Sequence, residues 1–141
     1  MNWKNAIMSL VIVGIIGAVI MFASTPVFEI LSPGLAKEYE QPAFRPWSDP
    51  VMSLFFAYPF AVGLFAALFY EQVRSSFPGN RPFKKGIHYG FMLWLVTGIP
   101  AFIVNYSSFT FSLPMILSWT ISGLITLLLG GMAIAWIYER H

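Results

Sequence analysis

Apolar residues fall into four long runs along the chain, and polar residues gather in the segments between them. The runs cover residues 6–23, 51–70, 86–106 and 114–138. Each has roughly the 20 residues that an α-helix needs to cross the hydrocarbon core of a bilayer. The pattern therefore predicts an all-α integral membrane protein, a bundle of four transmembrane helices that forms a single domain over residues 1–141.

The segments between the runs are short, and proline marks the longest of them. Residues 24–49 contain Pro26, Pro33, Pro42 and Pro46. Proline lacks a backbone donor and stops regular helix, so we expect the first helix to end near residue 23, with one short helical piece around residues 35–40. Residues 71–85 form a second, basic loop, and an uncharged connection joins the last two runs.

Lysine and arginine are distributed unequally between the two sides that four crossings create. One side has six of them and the other has two, Lys37 and Arg45. The six are Lys4, Arg74, Arg81, Lys84, Lys85 and Arg140. Because cytoplasmic loops carry the excess of basic residues, we expect a multi-pass protein of the cytoplasmic membrane with both termini and residues 71–85 in the cytoplasm. Residues 24–49 would then face outward.

Composition supports this class and excludes others. The chain is 57% hydrophobic and 10% charged, whereas soluble domains average about 25% charged residues. It has no cysteine, which excludes disulfides and thiolate metal sites. We expect membrane lipids as partners, no nucleic acid, and neither a cofactor nor a bound metal. Size and topology resemble those of small four-span proteins of prokaryotic membranes, a general likeness that implies no particular site.

Small residues spaced by four along the runs predict where the helices meet. Lipid tails are as apolar as leucine, so helices associate by close packing at small residues. We expect this packing at Gly63, Ala67, Gly86, Gly90, Gly98, Gly123, Gly130 and Gly131. An intramolecular seam is the interpretation we favour, and a dimer interface or a pore lining are the alternatives.

Two of the runs end in the same pattern. Residues 63–71 and 131–139 both have Gly, Ala, Tyr and Glu at the same offsets. This similarity suggests two repeated helical hairpins related by an axis along the membrane normal, as in some transporters. Chance recurrence among a few apolar residue types is the alternative. Aromatic residues near the ends of the runs are expected to lie at the membrane–water interface; they are Trp3, Trp47, Tyr70, Tyr89, Tyr106 and Tyr138.

Polar residues that could bind a ligand concentrate at the outer end of the predicted bundle. They are Glu29, Arg45, Trp47, Asp49, Asn105, Ser107, Ser118, Thr120 and Ser122. They could line an outward-facing cleft, or form a structural cap in which Arg45 pairs with Glu29 or Asp49. At the inner end, Arg74, Arg81, Lys84 and Lys85 could bind anionic lipid headgroups, although their role in setting topology explains them equally well.

The middle of every run lacks ionisable residues. Such residues mark proton relays and ion coupling, and an enzyme would need paired acids or a nucleophile with its base. We therefore expect a non-enzymatic structural or interaction protein that packs with itself or with a larger membrane partner. The alternative is a small transporter or channel subunit that binds a neutral or amphipathic ligand in the outward-facing polar cleft.

Overall fold

The computed structural model of the chain describes residues 1–140, which contain four long α-helices and one short α-helix. The long helices are α1 (Trp3–Leu31), α3 (Ser53–Val73), α4 (Pro82–Ser108) and α5 (Leu113–Glu139), and the short helix is α2 (Leu35–Glu38). Single 3-10 turns lie before and after α3. The four long helices are all apolar enough and long enough to cross a bilayer. A helix satisfies its own backbone groups, which lipid cannot do. The protein is therefore a four-helix integral membrane bundle, as predicted.

Helix α1 extends about two turns beyond the predicted end near residue 23. Pro26 lies inside the helix rather than after it. A proline removes a single backbone donor, and the hydrogen bonds that follow are intact, since the Ser32 amide donates to the Phe28 carbonyl at 2.8 Å. The loop after α1 is accordingly shorter than residues 24–49, and Glu29 lies on the helix.

The helix ends identify two faces of the bundle. The terminal face contains the start of α1, the end of α3, the start of α4 and the end of α5. Glu71 joins the first two by accepting from the Asn2 amide at 2.9 Å, and Lys85 joins the last two by donating to Glu139 at 3.2 Å. The loop face is the opposite end, which residues 32–49 cover. Helix α1 packs against α3 and α5, and α4 packs against α5.

Glycine brings α4 and α5 into backbone contact. A Cβ added at Gly86 would lie 2.5 Å from the carbonyl oxygen of Gly131. A Cβ at Gly90 would meet the Leu127 carbonyl oxygen. Side chains can move aside but backbone atoms at a packed interface cannot, so small residues set how closely these helices approach.

Small residues also let α1 lie close to α3 and α5, through both backbone and side-chain contacts. A Cβ at Gly63 of α3 would lie 3.0 Å from the Ser9 carbonyl oxygen, and one at Gly130 of α5 would lie 2.9 Å from Val13. Ala67 is fully buried. Two other glycines of the predicted seam differ. Open space surrounds Gly123, and the nearest atoms to a Cβ at Gly98 belong to a side chain of the same helix, that of Trp94.

The two hairpins resemble each other, but their arrangement does not follow a two-fold axis. In each hairpin the repeated glycine, Gly63 or Gly131, packs on the preceding helix, and the repeated glutamate, Glu71 or Glu139, bonds near the start of that helix. A two-fold axis would require α3 and α4 to pack as α1 and α5 do. In the described part of the chain, α3 and α4 are not among the extensively packed pairs, so the symmetric repeat is not supported.

Three of the tyrosines predicted at the interface are buried between helices at the terminal face and are not exposed to the surroundings of the bundle. Tyr70, Tyr89 and Tyr138 are buried. The ring centroid of Tyr70 lies 4.9 Å from that of Tyr89 and 5.8 Å from that of Tyr138. The Tyr89 hydroxyl donates to the Ala66 carbonyl and so connects α4 to α3. These side chains fill the space between α3, α4 and α5 at the terminal face.

Candidate functional site

On the loop face, Glu29 fixes the reversal of the chain after α1. Its carboxylate accepts from the amides of Gly34 at 2.8 Å and Ala36 at 2.7 Å. Gly34 has φ +98°, a conformation that glycine adopts without strain. The sequence placed Glu29 among possible ligand-binding groups, and the structure uses both of its oxygens to hold the start of α2.

A second carboxylate anchors α2 to α5. Glu38 accepts from the Ser112 amide at 3.0 Å, and the Ser112 hydroxyl donates to its other oxygen. The same hydroxyl accepts from the Met115 amide at 3.3 Å and so caps α5. Serine is a preferred helix cap because its oxygen satisfies an amide that has no partner within the helix. The loop is therefore tied to the helix whose start it covers.

Aromatic rings close the loop face above α5. The Trp119 indole donates to the Tyr39 hydroxyl at 2.7 Å. Phe44 stacks on Phe111 with centroids 4.9 Å apart, and Phe111 meets Trp119 edge to face at 5.6 Å. Sequence reasoning missed Glu38, Tyr39 and these rings. The only local signal was Ser112 before Leu-Pro, a helix-start pattern, and it does not identify the partner.

Arg45 and Asp49 form an ion pair at the start of α3. The Arg45 guanidinium lies 2.8 Å from the Asp49 carboxylate, whose other oxygen accepts from the Val51 amide at 2.9 Å. These two interactions, the Val51 amide first, hold the pKa of Asp49 below its ordinary value. Of the two pairings considered for Arg45, the structure has the one with Asp49. Trp47 is exposed and lies edge to face against Phe55.

The remaining predicted site residues belong to helices. The hydroxyls of Ser107, Ser118 and Thr120 donate to carbonyls of their own helix, at 3.2, 2.6 and 2.8 Å respectively. Ser118 is buried, and Asn105 and Ser122 are partly exposed. Of the nine predicted residues, Arg45, Trp47 and Asp49 are brought together in one turn of chain.

An open cleft of about 510 Å³ lies beside this turn. Residues 39–42 and 44–47 provide most of its lining, together with Ala36. The lining combines the aromatic rings of Tyr39 and Trp47 with the charges of Glu40 and Arg45. A small amphipathic molecule matches this mixture of polar and apolar groups. Within residues 1–140, no three His, Asp or Glu side chains are grouped as metal ligands would be.

On the terminal face, the basic loop contributes to a polar junction between helices. Glu139 accepts from Lys85 at 3.2 Å and from the Tyr70 hydroxyl at 3.3 Å. Arg74 donates to the Tyr138 carbonyl at 3.3 Å and lies 4.0 Å from Glu139. These groups connect α3, α4 and α5, so two of the four predicted headgroup-binding residues have intramolecular partners.

The other two predicted headgroup-binding residues lie elsewhere on this face. Arg81 and Lys84 line an open cleft of about 370 Å³ with Phe83 and Ile87. No protein-family model, curated protein or solved structure matches the chain.

Proposed function

We propose that the chain is a non-enzymatic structural or interaction protein of the cytoplasmic membrane that packs with a second copy or with a larger membrane partner. One observation carries the proposal: polar groups of the loop face are used within the chain. Glu29 and Glu38 bond backbone amides, and Asp49 bonds Arg45 and a helix start. A ligand site would instead present such groups unpaired toward a cleft.

Helix α4 provides the surface for such packing. Its glycine face contacts α5, while large apolar side chains on other sides, including Val96 and Ile103, are exposed. A helix can present such a surface to lipid or to another helix. This exposed surface supports the proposal, because α4 packs most closely through its glycine face and its other sides can contact a partner helix.

Cross-linking in native membranes tests the packing. The chain has no cysteine, so Val96→Cys introduces a single thiol on α4, and Val19→Cys gives a control on α1 that is also well exposed. We expect a disulfide-linked dimer from Val96→Cys and little from Val19→Cys. Monomeric protein from both variants under oxidising conditions would contradict a second copy packed on α4.

A ligand screen provides the complementary test. The purified chain is heated with sugars, amino acids, nucleosides and neutral lipids, since a ligand that binds only the folded state raises the melting temperature. We expect a flat response. Saturable stabilisation by any of these compounds would overturn the proposed role in favour of a binding function.

The loop-face cleft supports a second candidate, a small transporter or channel subunit that takes a neutral or amphipathic ligand. Its combination of Tyr39, Trp47 and Arg45 supports this alternative. Stabilisation by a ligand should then be lost in Trp47→Ala and retained in Trp3→Ala, which removes another exposed indole, on the terminal face. Equal responses of the two variants would exclude the cleft as the site.

The membrane orientation is part of the proposal. Six of the eight Lys and Arg residues lie toward the terminal face, which supports a cytoplasmic position for both termini. Reporter fusions after residue 141 and within residues 32–49 test it. We expect cytoplasmic reporter activity from the first and external activity from the second. The opposite result would reverse the orientation without changing the fold.

A further inference from the structure

The four basic residues of the segment 71–85 form two structurally different pairs. Arg74 and Lys85 bond Glu139 and the Tyr138 carbonyl. Within residues 1–140, neither Arg81 nor Lys84 belongs to an ion pair, and both are exposed. Two cations within one helical turn repel each other unless an anion lies between them. The first pair holds the helices together, whereas the second pair lacks a protein anion.

A turn positions the second pair around an open cleft. Gly79 has φ +116°, a conformation that favours glycine, and the chain then enters α4 at Pro82. The Lys84 amide donates to the Arg81 carbonyl at 3.1 Å, which keeps the two residues within one turn. Both line the cleft of about 370 Å³. The positive end of the α4 dipole lies at the same place.

The rest of the cleft is apolar. Phe83 and Ile87 complete its lining, and they are 57% and 44% exposed. They lie four residues apart, so they share one side of α4. Phe91, another four residues along, is also exposed. The apolar strip therefore runs from the cationic end of the cleft along the membrane-spanning part of the helix.

We propose that this cleft binds an anionic phospholipid. The phosphate lies between Arg81 and Lys84, and the first part of an acyl chain lies on Phe83 and Ile87. Charge complementarity selects the headgroup, and the adjoining apolar strip selects a lipid over a free anion. A zwitterionic lipid carries no net charge to match the two cations. Arg74 and Lys85 of the same segment do not take part in lipid binding, because Glu139 and the Tyr138 carbonyl are already their partners.

Binding to the purified full-length chain tests the proposal. The chain is titrated in neutral detergent with phosphatidylglycerol, phosphatidylcholine or inorganic phosphate, and bound ligand is counted by native mass spectrometry. We expect saturable binding of phosphatidylglycerol, with much weaker binding of the other two. Phosphate that binds as tightly as phosphatidylglycerol would overturn the lipid assignment and show a simple anion site. Equal binding of phosphatidylcholine would overturn the role of the cations.

Substitutions locate the site. Arg81→Gln and Lys84→Gln should each weaken phosphatidylglycerol binding about fivefold, which corresponds to about 1 kcal/mol for a basic residue near the surface. Lys4→Gln is the matched control, because Lys4 is exposed at the start of α1 on the same face and outside the cleft. We expect it to bind as the unmodified chain does. Equal weakening by Lys4→Gln, or no effect of the cleft variants, would overturn the proposal.

A packing variant separates the lipid contact from charge alone. Phe83→Ser removes the apolar contact and leaves both cations in place. We expect it to weaken phosphatidylglycerol binding while the melting temperature without lipid stays near that of the unmodified chain, since the side chain is exposed. Unchanged lipid affinity in this variant would contradict the acyl-chain contact.

Discussion

Gly90 of α4 lies directly against Leu127 of α5, so that a methyl group on Gly90 would meet the Leu127 carbonyl oxygen and lie 3.0 Å from the Leu128 Cα. Gly123, about one turn before Leu127 on α5, has open space around its Cβ position. The two residues have the same type and similar helical context, but only Gly90 is needed for helix contact.

Gly90→Ala should therefore destabilise the bundle by about 1–3 kcal/mol, the usual cost of inserting atoms into a well-packed interface. Gly123→Ala should be neutral or stabilising by up to about 1 kcal/mol, because alanine is the better helix former. Thermal unfolding of both variants in the same detergent measures the difference. Equal melting temperatures would show that α4 and α5 do not approach as closely as described.

The hydrogen bonds between Ser112 and Glu38 should stabilise the loop face. Glu38→Ala removes the acceptor for the Ser112 amide and hydroxyl, and hydrogen bonds to a charged group contribute about 1.5–3 kcal/mol each. We expect faster hydrogen exchange in residues 32–49 and in the first turn of α5. Glu40→Ala is the control, because Glu40 is exposed in the same loop. Similar exchange in the two variants would contradict the anchoring role of Glu38.

The number and type of helices could be predicted because four apolar runs of sufficient length admit few other structures in a membrane. The glycine contacts could also be predicted in part. Spacing by four shows which side of a helix is small, and this side does meet a neighbour at Gly86 and Gly90. Spacing does not show how far along its length a helix is covered by a neighbour. For this reason Gly98 and Gly123 could not be distinguished in the sequence from glycines that do contact another helix.

The loop face was much less predictable. The bond between Trp119 and Tyr39 joins residues 80 positions apart, and the bond between Glu38 and Ser112 joins residues 74 apart. Both pairs depend on how the loop folds back over α5, and no local pattern contains that information. The end of α1 was misplaced for a different reason, since Pro26 was expected to stop a helix whose later hydrogen bonds survive it.

Because Asp49 caps the start of the 3-10 turn before α3, we expect the stability of the folded state to decrease in acid. Because the folded-state pKa of Asp49 lies below its ordinary value, ionised Asp49 stabilises the folded state. This contribution is complete above the unfolded value of about 3.9 and is lost as pH falls through the lower folded-state value. Hydrogen exchange at the start of α3, or melting measured from about pH 5 downward, should show the loss.

Asp49→Ala provides the reference for that experiment. It removes the contacts with Val51 and Arg45 at every pH, so the part of the acid response that arises from Asp49 should be missing. The informative quantity is the difference between the unmodified chain and the variant. A difference that stays constant across the acid range would show that the carboxylate does not titrate with folding.

Lys85 and Glu139 should be energetically coupled, because their side chains are only 19% and 21% exposed and lie 3.2 Å apart. Partial burial reduces screening by water, and contacting residues of this kind couple by about 0.5–3 kcal/mol. A double-mutant cycle with Lys85→Gln, Glu139→Gln and the double variant measures the coupling from unfolding free energies. The Arg45–Asp49 pair is the control, since the Arg45 side chain is 62% exposed and solvent weakens such pairs. Coupling that is larger at Arg45–Asp49 than at Lys85–Glu139 would contradict the view that the terminal-face junction holds α4 and α5 together.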